Sequence, residues 1–243
     1  MYDKRIELRD KFALALDVDD IKRAEKLVKG LKDYFGIFKV GPVLFIKYGQ
    51  KIIDIILKNK RKVFLDLKLH DIPNTVEKAI ENALEKEIFI IDVHISGGSE
   101  IIKAAKRAVD RANIKRKNKT LLFGITVLTS LNDSLLKEMN IKYRTRKQAE
   151  SLAKLGKKSG LDGVVCSAME TAFIKKTCGK DFLVLTPGIR LPDNSSNDQV
   201  RIATPQEALK NGSDFLVFGR SIYAEKYPEK ICEKLYGDLL KNG

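Results

Sequence analysis

The sequence is poor in the residues that build metal centres and disulfide frameworks. Its 243 residues include only two histidines, His70 and His94, and three cysteines. An odd number of cysteines without metal-ligand spacing predicts small core or boundary residues at Cys166, Cys178 and Cys232. We therefore expect no zinc site made of cysteine and histidine, because too few ligands are available.

Long apolar runs are missing as well. No window approaches the roughly 18 uninterrupted apolar residues that a membrane-spanning helix needs. Residues 1–7 are rich in charge, and no apolar signal-peptide segment follows them. No linker rich in proline, glycine or serine divides the chain. We therefore expect a cytoplasmic protein without membrane contact, folded as one domain over residues 1–243, with an N-terminal extension over about residues 1–10.

Positive charge is abundant. The 46 lysines and arginines outnumber the 32 acidic residues and give a net charge of +14. Such an excess can form a nucleic-acid surface or attract a small phosphorylated substrate. Most of it is scattered as single lysines on helix faces, and the densest run (Lys115, Arg116, Lys117 and Lys119) has no aromatic residue within it. The run is therefore interpreted as a solvated loop, and no nucleic-acid partner is expected. A nucleic-acid-binding protein remains the alternative, recognisable by steeply salt-dependent binding to DNA.

Short aliphatic runs alternate with longer amphipathic segments along the chain. The runs are nearly continuous in hydrophobicity, which is typical of parallel strands covered on both faces. Eight predicted strands cover residues 12–16, 37–40, 63–67, 88–93, 121–127, 163–166, 182–185 and 215–218. Helical apolar spacing marks residues 21–34, 43–57, 76–84, 101–109, 149–155 and 231–240. This alternation predicts an α/β fold, a single-domain (β/α)8 TIM barrel, with a doubly wound open sheet as the alternative.

Polar residues collect where the predicted strands end. In both architectures ligands bind at the carboxyl ends of the strands, so these residues are expected to share one rim. They are Asp17, Lys39, Asp66 with Lys68, His94 with Ser96, Thr129 with Ser130, Ser167, Arg190, Gly219, Arg220 and Ser221. Such clustering is hard to explain by stability alone.

The most informative segment places Lys68 between Asp66 and Asp71, just after a buried strand. Strand side chains alternate between faces, so Asp66 and Lys68 are expected to point the same way. Asp71 follows the strand end, near the start of the next helix. A surface salt bridge is the structural alternative, but charges on a buried strand are costly unless they serve a purpose. This arrangement is suited to moving a proton and opposing a negative charge.

Two further positions have both a structural and a functional interpretation. Lys39 could extend to solvent from the second strand, or join Asp66 and Lys68 in an alternating charge network. Asp17 could cap the helix that begins near Ile21, or contribute to the site.

A phosphate site is predicted at the end of the eighth strand. Gly219 lets the backbone approach a ligand closely, and Arg220 can hold two phosphate oxygens at once. Barrels often bind phosphate after strands seven and eight, where Arg190 also lies. The polar loop over residues 191–199 is of the length that closes over a site, although a generic surface loop has the same composition.

Taken together, these segments resemble a known family. The segment from Asp66 to Thr75 reads Asp-x-Lys-x-x-Asp-Ile-Pro-Asn-Thr, and it resembles the signature of orotidine 5'-phosphate decarboxylase. The similarity continues in family order through residues 14–17, 38–41, 127–130, 162–167, 186–190, 197–201 and 217–221.

The resemblance implies decarboxylation of orotidine 5'-phosphate to uridine 5'-phosphate without a cofactor or metal, the last step of pyrimidine nucleotide synthesis. It implies that Lys68 protonates C6, that Asp66 lies against the substrate carboxylate, and that Lys39 holds Asp66 and the ribose. It further implies substrate-binding roles for Asp17, Thr129, Arg190, Gln199, Gly219 and Arg220. Asp71 and Thr75 would reach into the partner subunit's site, which implies a homodimer with shared active sites.

Related sugar-phosphate aldolases and decarboxylases share the Asp-x-Lys-x-x-Asp core and are the nearest enzymatic alternative. Their chemistry usually needs Mg²⁺, and the loop containing Gln199 suits a nucleotide better. Loss of activity on metal chelation would favour them.

Overall fold

Eight parallel strands close into a barrel in the computed structural model, which describes residues 2–191 and 203–241. The strands are β1 (Phe12–Ala15), β2 (Ile37–Val40), β3 (Lys62–Leu69), β4 (Ile90–His94), β5 (Leu121–Ile125), β6 (Gly163–Val165), β7 (Leu183–Ile189) and β8 (Phe215–Phe218). Each strand pairs with the next one in sequence, and β8 pairs with β1. The predicted (β/α)8 barrel is therefore confirmed, and the open doubly wound sheet is wrong.

Helices surround the strands in sequence order. The described helices are α1 (Tyr2–Lys11), α2 (Ile21–Leu31), α3 (Pro42–Tyr48), α4 (Lys51–Lys58), α5 (Pro73–Ala83), α6 (Ser99–Ile114), α7 (Asp133–Glu138), α8 (Thr145–Lys158), α9 (Ala168–Cys178), α10 (Pro205–Lys210), α11 (Arg220–Tyr223) and α12 (Pro228–Lys241). The helix predicted over residues 43–57 is in fact two, α3 and α4, because Gly49 takes a positive φ of 55° between them.

Some helices lacked a clear signal in the sequence. The pattern of α9 is obscured because Glu170 and Thr171 are buried together with its apolar residues. Helix α1 lies where an extension was predicted, and it is tied to the barrel. The amide of Gly36 donates to the carbonyl of Arg9 at 2.7 Å, and Arg5 pairs with Glu233 of α12 at 2.9 Å.

The core has two layers, set by the alternation of side chains along each strand. One set fills the inside of the barrel: Ala13, Ile37, Phe64, Ile90, Phe123, Leu185 and Val217. The neighbouring residues, such as Leu14, Phe38 and Ile91, pack outward against the helices. The inner set ends in polar residues at the carboxyl ends of the strands, so regular alternation itself brings Asp17, Lys39 and Asp66 toward the barrel axis.

The three cysteines are buried, as predicted. The basic run after α6 is a loop in which Lys115, Lys117 and Lys119 are exposed, whereas Arg116 donates to the carbonyls of Leu84 and Lys86. Within residues 2–191 and 203–241, no helix combines the length and the apolar character needed to cross a membrane.

A glycine in β6 is required by close packing. A Cβ atom at Gly163 would lie 2.5 Å from the carbonyl oxygen of Leu183 and 2.8 Å from the Phe123 ring. Gly163→Ala is therefore expected to lower the free energy of unfolding by about 1–3 kcal/mol, the usual range for overpacking. Gly237→Ala is the matched control, because its Cβ meets nothing within 4 Å. Alanine in α12 should stabilise by roughly 0.5–1 kcal/mol. Urea unfolding measures both variants, and equal stability would contradict the packing argument.

Candidate active site

A cavity of about 250 Å³ opens at the carboxyl ends of the strands. Eight of the predicted site residues line it: Asp17, Lys39, Asp66, Lys68, Thr129, Arg190, Gly219 and Arg220. The barrel thus brings together residues that are as far apart in sequence as Asp17 and Arg220, as expected for strand ends that meet at one rim.

One wall of the cavity carries alternating charges. Lys39 Nζ lies 3.0 Å from Asp17 Oδ1 and 3.0 Å from Asp66 Oδ2. On the other side of Asp66, Lys68 Nζ lies 2.5 Å from Oδ1. The order is therefore anion, cation, anion, cation, and both oxygens of Asp66 are paired with an ammonium group. Lys39 bonds inward, so the interpretation that it extends to solvent is wrong.

Burial and charge compete in this network. The side chains of Lys39 and Asp66 are only 11% and 7% exposed, whereas that of Asp17 is 48% exposed. Burial alone would lower the pKa of Lys39, but Asp66 and Asp17 outweigh it and raise that pKa. Burial likewise opposes ionisation of Asp66, yet Lys39, a hydrogen bond with Asp92 and Lys68 lower its pKa to about 2. Lys39 and Asp66 therefore stay charged across the physiological pH range.

Strand β3 is distorted where it carries Lys68. Leu65 pairs with Ile91 and Leu69 pairs with Val93, so three residues of β3 lie opposite the single residue Asp92. Lys68 has a φ of 49°, in the left-handed region that non-glycine residues rarely adopt. Asp66 and Lys68 both face the cavity as predicted, but this bulge, and not regular alternation, turns Lys68 back onto Asp66.

Asp92 was not predicted as a site residue. It is fully buried at the inner face of β4, and its Oδ1 accepts the backbone N–H of Lys68 at 2.8 Å. The sequence did contain a signal, since Asp92 is the one charge in the aliphatic run over residues 88–93. A buried charge in such a run calls for a partner.

Two arginines also line the cavity. Arg190 follows β7, whose register with β8 shifts between Thr186 and Ile189, and Gly188 there has a φ of 79°. Arg220 begins the short helix α11 directly after Gly219. Tyr223, one turn further on, also lines the cavity and was missed by sequence reasoning. Burial raises the pKa of its hydroxyl.

Two predicted residues lie elsewhere, and a third is not described. Asp71 and Thr75 are exposed, in the segment after β3 and in the first turn of α5, and they do not line this chain's cavity. Gln199 lies outside the described residues. Asp17 is not the cap of α2, because Asp20 accepts the first free amides of that helix. His94 stacks on His70, with ring centroids 5.3 Å apart, and lies outside the cavity lining.

The cavity is suited to one kind of ligand. The guanidinium groups of Arg190 and Arg220 can hold an anion such as a phosphate, and the charged wall can position a proton donor against a second acidic group. A (β/α)8 barrel with ionisable groups at this rim is typical of the barrel enzymes, whose active sites lie at the carboxyl ends of the strands.

Comparisons with known proteins are consistent with this class. The model of the "Orotidine 5'-phosphate decarboxylase / HUMPS family" matches residues 10–235. The chain is 43% identical to orotidine 5'-phosphate decarboxylase of Carboxydothermus hydrogenoformans, over 96% of this chain and 100% of that one. It is 42% identical to the Legionella pneumophila (strain Corby) enzyme, over 94% and 99%. The crystal structure of the Lactobacillus acidophilus enzyme aligns with a TM-score of 0.82 at 36% identity, over 94% and 98%. The chain therefore belongs to the orotidine 5'-phosphate decarboxylase / HUMPS family of enzymes, which confirms the resemblance.

The charge network predicts unequal effects on stability. Lys39→Met leaves the buried Asp66 with one cation in place of two, and the free energy of unfolding is expected to fall by about 3–5 kcal/mol. Asp17→Asn removes a half-exposed partner of the same lysine, so a loss of about 1 kcal/mol or less is expected. Urea unfolding at neutral pH compares them. Equal losses would show that burial of Asp66 does not govern the network.

Proposed function

We propose that this protein decarboxylates orotidine 5'-phosphate to uridine 5'-phosphate without a cofactor, the last step of pyrimidine nucleotide synthesis. The observation that carries this proposal is the position of Lys68. Its ammonium group is held 2.5 Å from Asp66 in a cavity that Arg190 and Arg220 also line. The relatives named orotidine 5'-phosphate decarboxylase support the same reaction.

The chemistry follows from the charges. With the phosphate held by Arg190, Gly219 and Arg220, the pyrimidine would reach the charged wall and its carboxylate would lie against Asp66. The bond between C6 and the carboxylate carbon breaks, and carbon dioxide leaves. The electron pair of the broken bond stays on C6. Lys68 donates a proton to C6 and becomes a neutral amine, which water reprotonates. Asp17 and Thr129 are proposed to bind the ribose and pyrimidine, Lys39 to hold the ribose and Asp66, and Gln199 to contribute to the closing loop.

A comparison of interaction energies with the required lowering of the barrier indicates that Lys68 makes the larger contribution to the rate. Two unit charges about 4 Å apart interact by about 4 kcal/mol at an effective dielectric constant near 20. Enzymes lower barriers by roughly 8–23 kcal/mol, so repulsion between Asp66 and the substrate carboxylate supplies only a fraction. Stabilisation of the charge that develops at C6 by the ammonium group must supply more. Binding energy at the phosphate also contributes, because it can drive closure and positioning.

The proposal is tested by the loss of orotidine 5'-phosphate absorbance in the presence of EDTA. The protein is expected to turn over substrate under chelation, and Lys68→Ala is expected to abolish turnover while still binding uridine 5'-phosphate. The lysine acts on the reacting carbon, whereas the arginines that hold the phosphate are untouched.

The matched control is Lys58→Ala, which removes an exposed lysine at the end of α4 and should leave turnover unchanged. A near-normal rate for Lys68→Ala would contradict the assignment. Loss of wild-type activity on chelation would favour the Mg²⁺-dependent aldolases and decarboxylases.

We further propose a homodimer with shared active sites. Val43 and Ile46 of α3 are 57% and 84% exposed, and Ile72 of the neighbouring β/α unit is 66% exposed. Large apolar side chains in adjacent units beside the cavity mouth are typical of a protein interface. Asp71 and Thr75 lie close to Ile72 in sequence, are exposed and do not line their own cavity, so we propose that they reach the site of a second copy of the chain. The cytoplasmic location stays a prediction.

Mixing variants tests the shared sites. Lys68→Ala and Asp71→Ala should each be nearly inactive alone. When the two are unfolded together and refolded, half of the dimers carry both variants, and each of these has one intact site. Activity should therefore recover to about one quarter of the wild-type value, as expected for random pairing in a two-fold dimer. Recovery should be absent when the Lys68→Ala variant is refolded alone. No recovery in the mixture would place Asp71 outside the partner's site.

A further inference from the structure

Asp92 is a buried acid that the proposed mechanism does not use. Its side chain is fully inaccessible, inside the barrel and directly behind the charged wall. Oδ1 accepts the N–H of Lys68, whereas Oδ2 has no hydrogen-bond partner within the described part of the chain. Burying a carboxylate oxygen without a hydrogen-bond donor costs free energy, so the charge state of Asp92 needs an explanation.

The neighbours of Asp92 limit its charge. On β3 it faces Asp66 and Lys68, on β5 its paired residue is Phe123, and on its own strand the nearest ionisable group is His94. The wall in front of it contains two ammonium groups and two carboxylates, which balance. An ionised Asp92 would add a third negative charge with no cation of its own.

The position of Asp66 also favours the neutral form of Asp92. Asp66 and Asp92 are both buried on the inner faces of the neighbouring strands β3 and β4, and two carboxyl groups placed so can form a hydrogen bond only if one of them carries a proton. Burial and the charge of Asp66 raise the pKa of Asp92 well above its usual range, whereas that of Asp66 is lowered. The shared proton therefore belongs to Asp92.

We propose that Asp92, as a neutral acid, is the positioning residue for Lys68: it accepts the Lys68 N–H and donates its proton to Asp66. The first bond holds Lys68 in its left-handed conformation, which is unfavourable for a residue other than glycine. The second fixes the carboxylate that holds the lysine side chain. Asp92 thus aims the ammonium group without touching the substrate. The kinetic consequence of this inference rests on the proposed decarboxylation.

Three variants distinguish a positioning role of Asp92 from a merely structural one. Asp92→Asn keeps an acceptor for Lys68 and a donor for Asp66, so its kcat should stay within about threefold of the wild type. Asp92→Leu keeps the branched heavy-atom skeleton but removes both bonds, and kcat should fall by about 100-fold, as for an ångström-scale misplacement. Its KM should change little, because the arginines are untouched. Thr120→Val removes another buried hydrogen bond, to the carbonyl of Ile88 outside the cavity, and should leave both constants unchanged.

A second measurement does not depend on turnover. The carboxyl carbon resonance of Asp92, labelled with ¹³C and assigned by its loss in Asp92→Asn, should have the chemical shift of a neutral acid at pH 7. An ionised shift overturns the inference, as does an Asp92→Asn variant as slow as Asp92→Leu, or a fully active Asp92→Leu. If Asp92→Leu does not fold, the Asp92→Asn variant and the carboxyl resonance still test whether Asp92 is a neutral acid that positions Lys68. Absence of decarboxylation in the wild type would overturn the proposed function and leave the resonance test of Asp92 intact.

Discussion

The buried negative charge of Asp66 is the constraint on which the site depends. A carboxylate that is 7% exposed at the end of β3 needs cations close by, and Lys39 and Lys68 pair with its two oxygens. Because the attraction is mutual, the carboxylate also holds both ammonium groups near the barrel axis. The conformation of Lys68, the bulge in β3 and the partners of Lys39 can all be understood as means of placing cations around that one charge.

The cavity is lined by two groups of charged residues from different β/α units. Arg190 and Arg220 lie in the last two β/α units, whereas Lys39, Asp66 and Lys68 lie in the second and third. A ligand with a phosphate at one end and an acidic ring at the other would contact both groups of residues at once. Binding energy gained at the phosphate can then hold the ring against a wall whose charges oppose its carboxylate. In the proposed reaction, residues far from the reacting carbon would contribute in this way.

Much of this arrangement could be predicted from sequence because barrels follow simple rules. Near-continuous aliphatic runs indicated the parallel sheet, and the polar residue after each run indicated the rim, so Asp17, Lys39, Asp66 and Arg220 were predicted correctly as neighbours. Features that do not follow from regular periodicity were not predicted. The bulge in β3 depends on a tertiary hydrogen bond from Lys68 to Asp92, and the interruption between α3 and α4 depends on the backbone of Gly49. Asp71 and Thr75 are exposed and do not line the cavity of their own chain, and alternation along a strand does not specify where residues beyond the strand lie.

The pairing of β1 with β8 has a consequence for how the protein matures. It joins Phe12 to Leu216, so about 200 residues must be synthesised before the first strand finds its second neighbour. Helices α1 and α12 meet beside the same seam, through Arg5 and Glu233. Asp17 and Arg220 stand on either side of it at the rim. A nascent chain on the ribosome can therefore assemble most of the sheet and still lack a complete catalytic centre until its final segment emerges.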